Sequence, residues 1–301
     1  MSQDYEPKLT PFQRFLSSRT ITGAGMLLSK YAPPFLGYGV ADLISGLINR
    51  LRPDVYWILH ANLRRVMGAE ADGKTLHRLV QQSFRNNARN DYDLWRLVSR
   101  GPEAIRAAVR IPPQAWAHIE QAQERGKGTI ITGAHTGNFD LSILALAAHG
   151  LEIQVLGLAR PPAGGFDLMD RLRARSGVRL TTISVQTLRE AIKRLRAGGI
   201  VLTGIDRPVG GIGQEVEFFG RPAPLPTGHV RLALKTGAAV IVASPYRDPQ
   251  QGNVVTISPP LEMVRSGDRG EDLRVNLRRV TGWLEKYIHA HPEQWAMFLP
   301  V

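Results

Sequence analysis

From Gly128 onward the chain alternates short apolar runs with amphipathic segments, a pattern that few architectures accept. The runs are Thr129–Thr132, Ile153–Leu158, Val178–Ile183, Ile200–Ile205, Val216–Phe219, Ala239–Ser244 and Val254–Ile257. Each has strand length and is bounded by turn-forming residues. Helices are expected between and after them. One is Leu188–Ala197, with Thr187 and Glu190 as a capping box and Gly198-Gly199 as its stop. A second is His229–Thr236, closed by Gly237, and the last runs from about Glu271 to His289 before Pro292. Strands that are apolar throughout must be covered on both faces, and interleaved helices supply the cover. The class is α/β, with a mixed, largely parallel central sheet flanked by helices.

The first part of the chain has another character. Residues 54–125 read as helical, with Val55, Ile58 and Leu59, then Leu76, Leu79, Val80 and Phe84, at helical spacing. Asn86–Asn90, with Tyr92, Leu94 and Trp95 after it, reads as a solvated helix end, with a wall of a ligand cleft as the other reading. Ile111-Pro112-Pro113 is a break, so the expected division is a helical region 1–110 and an α/β core 111–301 in one continuous domain. Between Thr20 and Asn49 only Lys30 and Asp42 are charged, and Leu27, Leu28, Phe35, Leu36, Val40, Leu43, Ile44 and Leu47 crowd together. Pro33-Pro34 and the glycines Gly23, Gly25, Gly37 and Gly39 interrupt this stretch before it reaches the ~20 residues of a spanning helix. Helices lying in a membrane interface are expected, with Arg14, Arg19, Lys30, Arg50 and Arg52 at lipid headgroups. Packing on the domain is the plainer alternative. The first fifteen residues are polar and mixed in charge, unlike a signal peptide.

Charge points the same way. The chain of 301 residues carries 38 basic and 26 acidic side chains, net +12. That favours an anionic partner, and an anionic membrane surface rather than nucleic acid. No tight basic run, interleaved aromatic series or nucleic-acid module is present. The absence of cysteine excludes disulfides, thiolate metal sites and a cysteine nucleophile.

The densest chemistry is Thr132-Gly133-Ala134-His135-Thr136-Gly137-Asn138-Phe139-Asp140. It follows an apolar strand and precedes the apolar helix Leu141–Ala148. Small residues let the chain turn, so His135 stands at a strand end with Asp140 one helical turn in. Such ends are where α/β proteins place their sites, and histidine moves protons near neutral pH. A capped helix or a satisfied polar pair gives the same spacing. Other charged groups lie in later turns: Arg160 before Pro161-Pro162, Arg171, Arg173 and Arg175 before Ser176-Gly177, and Asp206-Arg207 after Ile200–Ile205. The loop Gly210-Gly211-Ile212-Gly213 is neither a Walker loop nor a dinucleotide fingerprint, and no Gly-x-Ser-x-Gly elbow occurs.

In this order the pieces resemble the lysophospholipid acyltransferase superfamily. His135-Thr136-Gly137-Asn138-Phe139-Asp140 is similar to its His-x4-Asp/Glu motif. The aromatic after Gly137-Asn138 is typical of the bacterial branch that holds the late acyltransferases of lipid A biosynthesis and the mycobacterial phosphatidylinositol mannoside acyltransferase. Arg160, Arg175-Ser176-Gly177, Asp206, Phe218-Phe219-Gly220-Arg221-Pro222-Ala223, Thr227-Gly228 and His291-Pro292-Glu293-Gln294-Trp295 extend the likeness over nearly the whole chain.

The resemblance implies an enzyme that moves an acyl chain from an acyl thioester, on coenzyme A or acyl carrier protein, to a hydroxyl of a lipid or glycolipid. It implies His135 as general base and Asp140 as the group orienting the imidazole. Backbone amides near Gly137-Asn138, or Arg175, are expected to stabilise the oxyanion. Arg160 or Arg175 is expected to grip a phosphate, and Asp206 to pair with one of these arginines. No metal or resident cofactor is required. Asp140, where lipid A enzymes usually carry Glu, leans towards a glycolipid or phospholipid acceptor. The location implied is the cytoplasmic face of the cell membrane. A lipid-binding protein with weakened catalysis and a lipid or thioester hydrolase are the rival readings.

Overall fold

A computed structural model describes residues 14, 15, 17–158, 178–207 and 214–301. The core is a seven-stranded sheet in the order β1-β9-β8-β2-β5-β3-β4. Its strands are β1 Val109–Arg110, β2 Thr129–Gly133, β3 Ile153–Gly157, β4 Arg179–Thr182, β5 Ile200–Gly204, β8 Ala239–Asp248 and β9 Gly252–Ile257. β2, β3, β4, β5 and β8 run parallel, whereas β9 turns back against β8 and takes β1 with it. The expected mixed, largely parallel sheet is therefore present. β1 lies before the boundary expected at 110/111, so the sheet begins within the region read as helical.

Helices cover the two faces. α1 is Arg19–Tyr31, α2 Pro34–Leu51, α3 Asp54–Met67, α4 Gly73–Val98, α5 Pro102–Ala108, α6 Pro113–Glu124 and α7 Phe139–Ala148. After β4 come α8 Val185–Arg196, α9 Gly228–Thr236 and α10 Arg269–Ala290. One apolar layer joins Ile130, Val201, Val240 and Leu195 to Leu277, Val280 and Leu284 of α10. The opposite layer joins Ile131, Ile200 and Ile241 to Leu141, Leu144 and Ile119. β2 is buried along four of its five residues, which is why its sequence is apolar without alternation.

Local signals account for most boundaries, with three corrections. α8 starts three residues earlier than expected because Ser184, rather than Thr187, is its N-cap; Thr187 is the reciprocal member of the box. Glu190 instead pairs with Arg179 at 2.9 Å. The run at 216–219 stays out of the main sheet: β6 Gln214–Phe218 pairs antiparallel with β7 Arg221–Leu225 as a separate hairpin. Its two-residue turn, Phe219-Gly220, has both φ angles positive, the geometry that matches strand twist in tight hairpins. Finally, the segment 86–95 is no solvated helix end: Asn90, Tyr92, Asp93 and Leu94 are buried in α4.

α1 and α2 pack on α4 through small residues. A β-carbon on Gly37 would lie 2.0 Å from the Tyr92 ring, so close approach demands glycine there. Asp42 of α2 accepts from both Arg85 and Arg89 of α4 at 2.6–2.9 Å. Tyr38 donates to Asp93 at 2.9 Å, and Asp93 also pairs with Arg247 of β8. The large apolar side chains of α2 point away from the protein: Phe35, Leu36, Val40, Leu43, Ile44, Leu47 and Leu51 are all exposed. Gly37, Ala41, Ser45 and Ile48 form the inward face. Among the described residues no helix is long and apolar enough to cross a membrane.

Candidate active site

Register brings the site together. In the parallel pair β2/β5, Gly133 lies opposite Gly204. His135 and Asp206 each follow two residues later, so both overshoot the sheet at the same end and meet. His135 Nδ1 lies 2.6 Å from Asp206 Oδ1, and the His135 backbone N–H donates to Asp206 Oδ2 at 2.9 Å. The Trp295 indole N–H donates to the same Oδ2 at 2.9 Å. An indole and a backbone amide can only donate, so Asp206 serves them as a carboxylate. Its Oδ1 then takes the proton of Nδ1, which leaves the lone pair on Nε2.

Electrostatics agree with that assignment. Asp206 is fully buried, and burial alone would push its carboxyl upward. The charge and hydrogen bond of His135, with Arg207 and the His135 amide, overcome this and hold it down at about 2. The His135 side chain remains 17% accessible, so its free edge can meet a substrate. Phe139 packs edge-on against the imidazole with ring centroids 4.7 Å apart. Gly204 is obligatory below it, since a β-carbon there would lie 2.9 Å from His135 Cε1.

The C-terminal segment clamps this loop. The Gln294 carbonyl accepts from the Gly137 amide at 2.8 Å, and the Ala296 amide donates to the His135 carbonyl at 2.8 Å. Trp295 is buried and packs on Phe218 and Phe219 of the β6/β7 hairpin. Arg65 holds that hairpin through the carbonyls of Phe218, Arg221 and Pro222 at 2.6–3.1 Å. The Pro292-Glu293-Gln294-Trp295 and Phe218-Phe219-Gly220 segments therefore act together, fixing the carboxylate that fixes the histidine.

A family model described as bacterial lipid A biosynthesis acyltransferase matches residues 14–301. The chain belongs to that family. It is an acyltransferase. A phosphatidylinositol mannoside acyltransferase of Mycobacterium tuberculosis (strain CDC 1551 / Oshkosh) is 25% identical over 246 residues, 80% of this chain and 75% of that one. The protein of the same name from strain ATCC 25618 / H37Rv is 27% identical over 190 residues, 61% of this chain and 57% of its own length. Among solved structures, the 1-acyl-sn-glycerophosphate (LPA) acyltransferase PlsC from Thermotoga maritima aligns with a TM-score of 0.36 and 16% identity. That alignment covers 80% of this chain and 97% of the other.

Several residues of this acyltransferase differ in placement from expectation. Among the described residues Asp206 pairs with His135, taking the position on the imidazole expected for Asp140; the arginines expected to pair with it, Arg160 and Arg175, are not among them. The Gly137 amide, expected among the oxyanion donors, is committed to Gln294. Asn138 is the N-cap of α7: its Oδ1 accepts from Leu141 at 3.3 Å, and its Nδ2 donates to the Asn90 carbonyl at 2.9 Å. Asp140 lies in the first turn of α7. Arg160, Arg171, Arg173, Arg175 and the loop Gly210–Gly213 lie outside the described residues.

One further acidic group carries no mark in the sequence. Asp91 of α4 stands near Asp140; burial first, and then the Asp140 charge, raise its carboxyl to about 7. No motif surrounds it; α4 meets the site through the Asn90 carbonyl, which accepts from Asn138, and through Asn86, which donates to the Glu293 carbonyl.

Proposed function

We propose that this acyltransferase moves a fatty acyl chain from an acyl thioester, on coenzyme A or acyl carrier protein, to a hydroxyl of a glycolipid or lysophospholipid at a membrane surface. The observation that carries the proposal is the His135–Asp206 pair at the ends of two adjacent parallel strands. His135 Nε2 takes the acceptor hydroxyl's proton as the oxygen attacks the thioester carbonyl. The tetrahedral intermediate collapses with loss of the thiolate, which receives that proton from the imidazolium. An ester and a free thiol result. Asp206 holds the tautomer with a free Nε2 and balances the imidazolium charge.

The orienting role thus passes from Asp140 to Asp206. Asp140 and Asp91 make a second acidic pair beside the histidine loop. Arg160 and Arg175 are proposed as phosphate contacts, a role suited to the guanidinium fork. The membrane part of the reading is supported by the outward apolar face of α2, by Leu27, Leu28 and Tyr31 exposed on α1, and by the net charge of +12.

The test is mass spectrometry of membrane lipids from cells with and without the protein, combined with acyl transfer by the purified protein from each thioester carrier. A lipid class that loses one acyl chain in the deletion, and regains it with wild-type protein but not His135→Ala, is the expected result. Unchanged lipids together with no acyl transfer from either carrier would remove the proposal. Free fatty acid release that ignores added lipid acceptor would point to a hydrolase instead.

A further inference from the structure

A basic pocket lies well away from the histidine. It is open, about 420 Å³ in volume, and lined by Asn49 and Arg52 at the end of α2, Tyr56 on α3, and Lys74, His77 and Arg78 at the start of α4. His77 is thirteen residues before Asn90, the α4 residue that touches the catalytic loop. At 1.5 Å per residue that separation is about 20 Å.

Three observations mark the pocket as built for an anion at a lipid surface. The first is charge: Arg52, Lys74 and Arg78 form no ion pair among the described residues, and Arg78 acts only as a minor electrostatic influence on the cap carboxylate of Asp72. The neighbouring His60 ring is held below the usual histidine range, by burial first and then by His77, Arg64 and Arg52. The second is position. Arg52 caps α2 directly after Leu47 and Leu51 of the exposed apolar face, and its guanidinium stacks over Tyr56 and over the half-exposed Trp57. A tryptophan beside exposed leucines and arginine is the composition of a membrane–water boundary. The third is conformation and hydrogen bonding. Arg52 has φ 45°, a C-cap geometry at which glycine is the favoured residue. Asn49, whose Nδ2 donates to the Ser45 carbonyl, has a buried Oδ1 with no partner among the described residues. An acceptor so placed suits a hydroxyl donor.

We propose that this pocket binds the phosphate of an anionic lipid whose headgroup also carries a hydroxyl, as a docking site separate from the acyl-transfer centre. The proposal rests on the membrane reading of the apolar face above. The cations would take the phosphate, Asn49 the hydroxyl, and Trp57, Leu47 and Leu51 the acyl region beneath. Docking here would set the height and tilt of the molecule on the bilayer, and hence which hydroxyls reach His135. A second basic pocket, lined by Arg189, Lys193, Arg196 and Lys235, offers the control. It sits where the chain enters β5 and β8, at the other end of the sheet from the histidine, and no large exposed apolar residue lines it.

The experiment compares vesicle binding by the full chain with that of Lys74→Gln/Arg78→Gln, of Arg52→Gln, and of the control Lys193→Gln/Arg196→Gln. Vesicles are of phosphatidylcholine alone or with phosphatidylglycerol. The pocket variants should lose the phosphatidylglycerol-dependent gain, roughly ten- to thirtyfold for the double change. The control should keep most of it, and binding to pure phosphatidylcholine should be alike in all. Glycerol 1-phosphate should raise the titration of His60, followed by NMR, in wild type but not in Lys74→Gln/Arg78→Gln. Equal losses in pocket and control variants would overturn the site and leave the membrane reading intact. A His60 response to inorganic phosphate without any phosphatidylglycerol gain would make it a free-phosphate site and overturn the lipid assignment. Failure to bind vesicles of either composition would overturn both.

Discussion

At the residue scale the proposed activity turns on one carboxylate and what surrounds it. Asp206 accepts three donors while buried, and each donor lowers the cost of its charge. Replacing it by Asn keeps the shape but removes the charge and allows an N–H to face Nδ1, which moves the imidazole proton onto Nε2. Asp206→Asn should therefore lower kcat by about 10²–10⁴, as His135→Ala should, with a smaller effect on the acceptor KM. Steady-state kinetics together with the nitrogen-15 shifts of His135 check this; a normal kcat with an unchanged tautomer would remove Asp206 from the mechanism. Asp91 makes the opposite case. Its carboxyl is raised to about 7 in the folded protein against an ordinary 3.8, so the folded state holds the extra proton between those values. Its contribution to stability is present at low pH and declines as pH rises through that window. Asp91→Asn should match wild type in urea midpoint near pH 4 and exceed it at pH 8.

At the element scale, close approach and ion pairs hold the pieces in register. Gly137 has φ +49°, and a β-carbon there would lie 2.6 Å from the Pro245 carbonyl oxygen. Gly137→Ala should cost about 1–3 kcal/mol through strain and overpacking, and it should depress kcat because the histidine loop moves with it. Paired urea titrations and kinetics read both effects. The α2/α4 seam depends on Asp42. Hydrogen bonding to Arg85, then to Arg89, overcomes a modest burial penalty and lowers its carboxyl to about 2. A depressed carboxylate contributes stability above its unfolded value of 3.8 and loses it as pH falls towards 2. Asp42→Asn should be less stable than wild type at pH 7, and the two should converge by pH 2 in urea-unfolding midpoints.

At the scale of the whole molecule, a rigid α/β core presents the histidine at one end of its sheet. α2 is bound through its small residues, with its large apolar side chains turned out. Leu43→Glu/Leu47→Glu alters two residues that are 74% and 55% exposed. It should leave the unfolding free energy within about 0.5 kcal/mol while reducing binding to phosphatidylcholine vesicles roughly tenfold or more; retained vesicle binding would place the membrane contact elsewhere. The strands β2, β3, β5 and β8, the stops at Gly198 and Gly237, and the turn carrying His135 were legible in the linear chain. Each depends on residues within a few positions of one another, as caps, turns and apolar runs do. The partner of His135 was not legible, because Asp206 lies seventy-one positions away and reaches it only when Gly133 is set opposite Gly204 in a parallel pair. The same holds for Asp91, brought in by helix packing, and for the indole that braces Asp206. Local chemistry determined which segments form and which side chain stands at the strand end as the proposed base. Strand register and packing, which no local rule encodes, decided which carboxylate it is paired with.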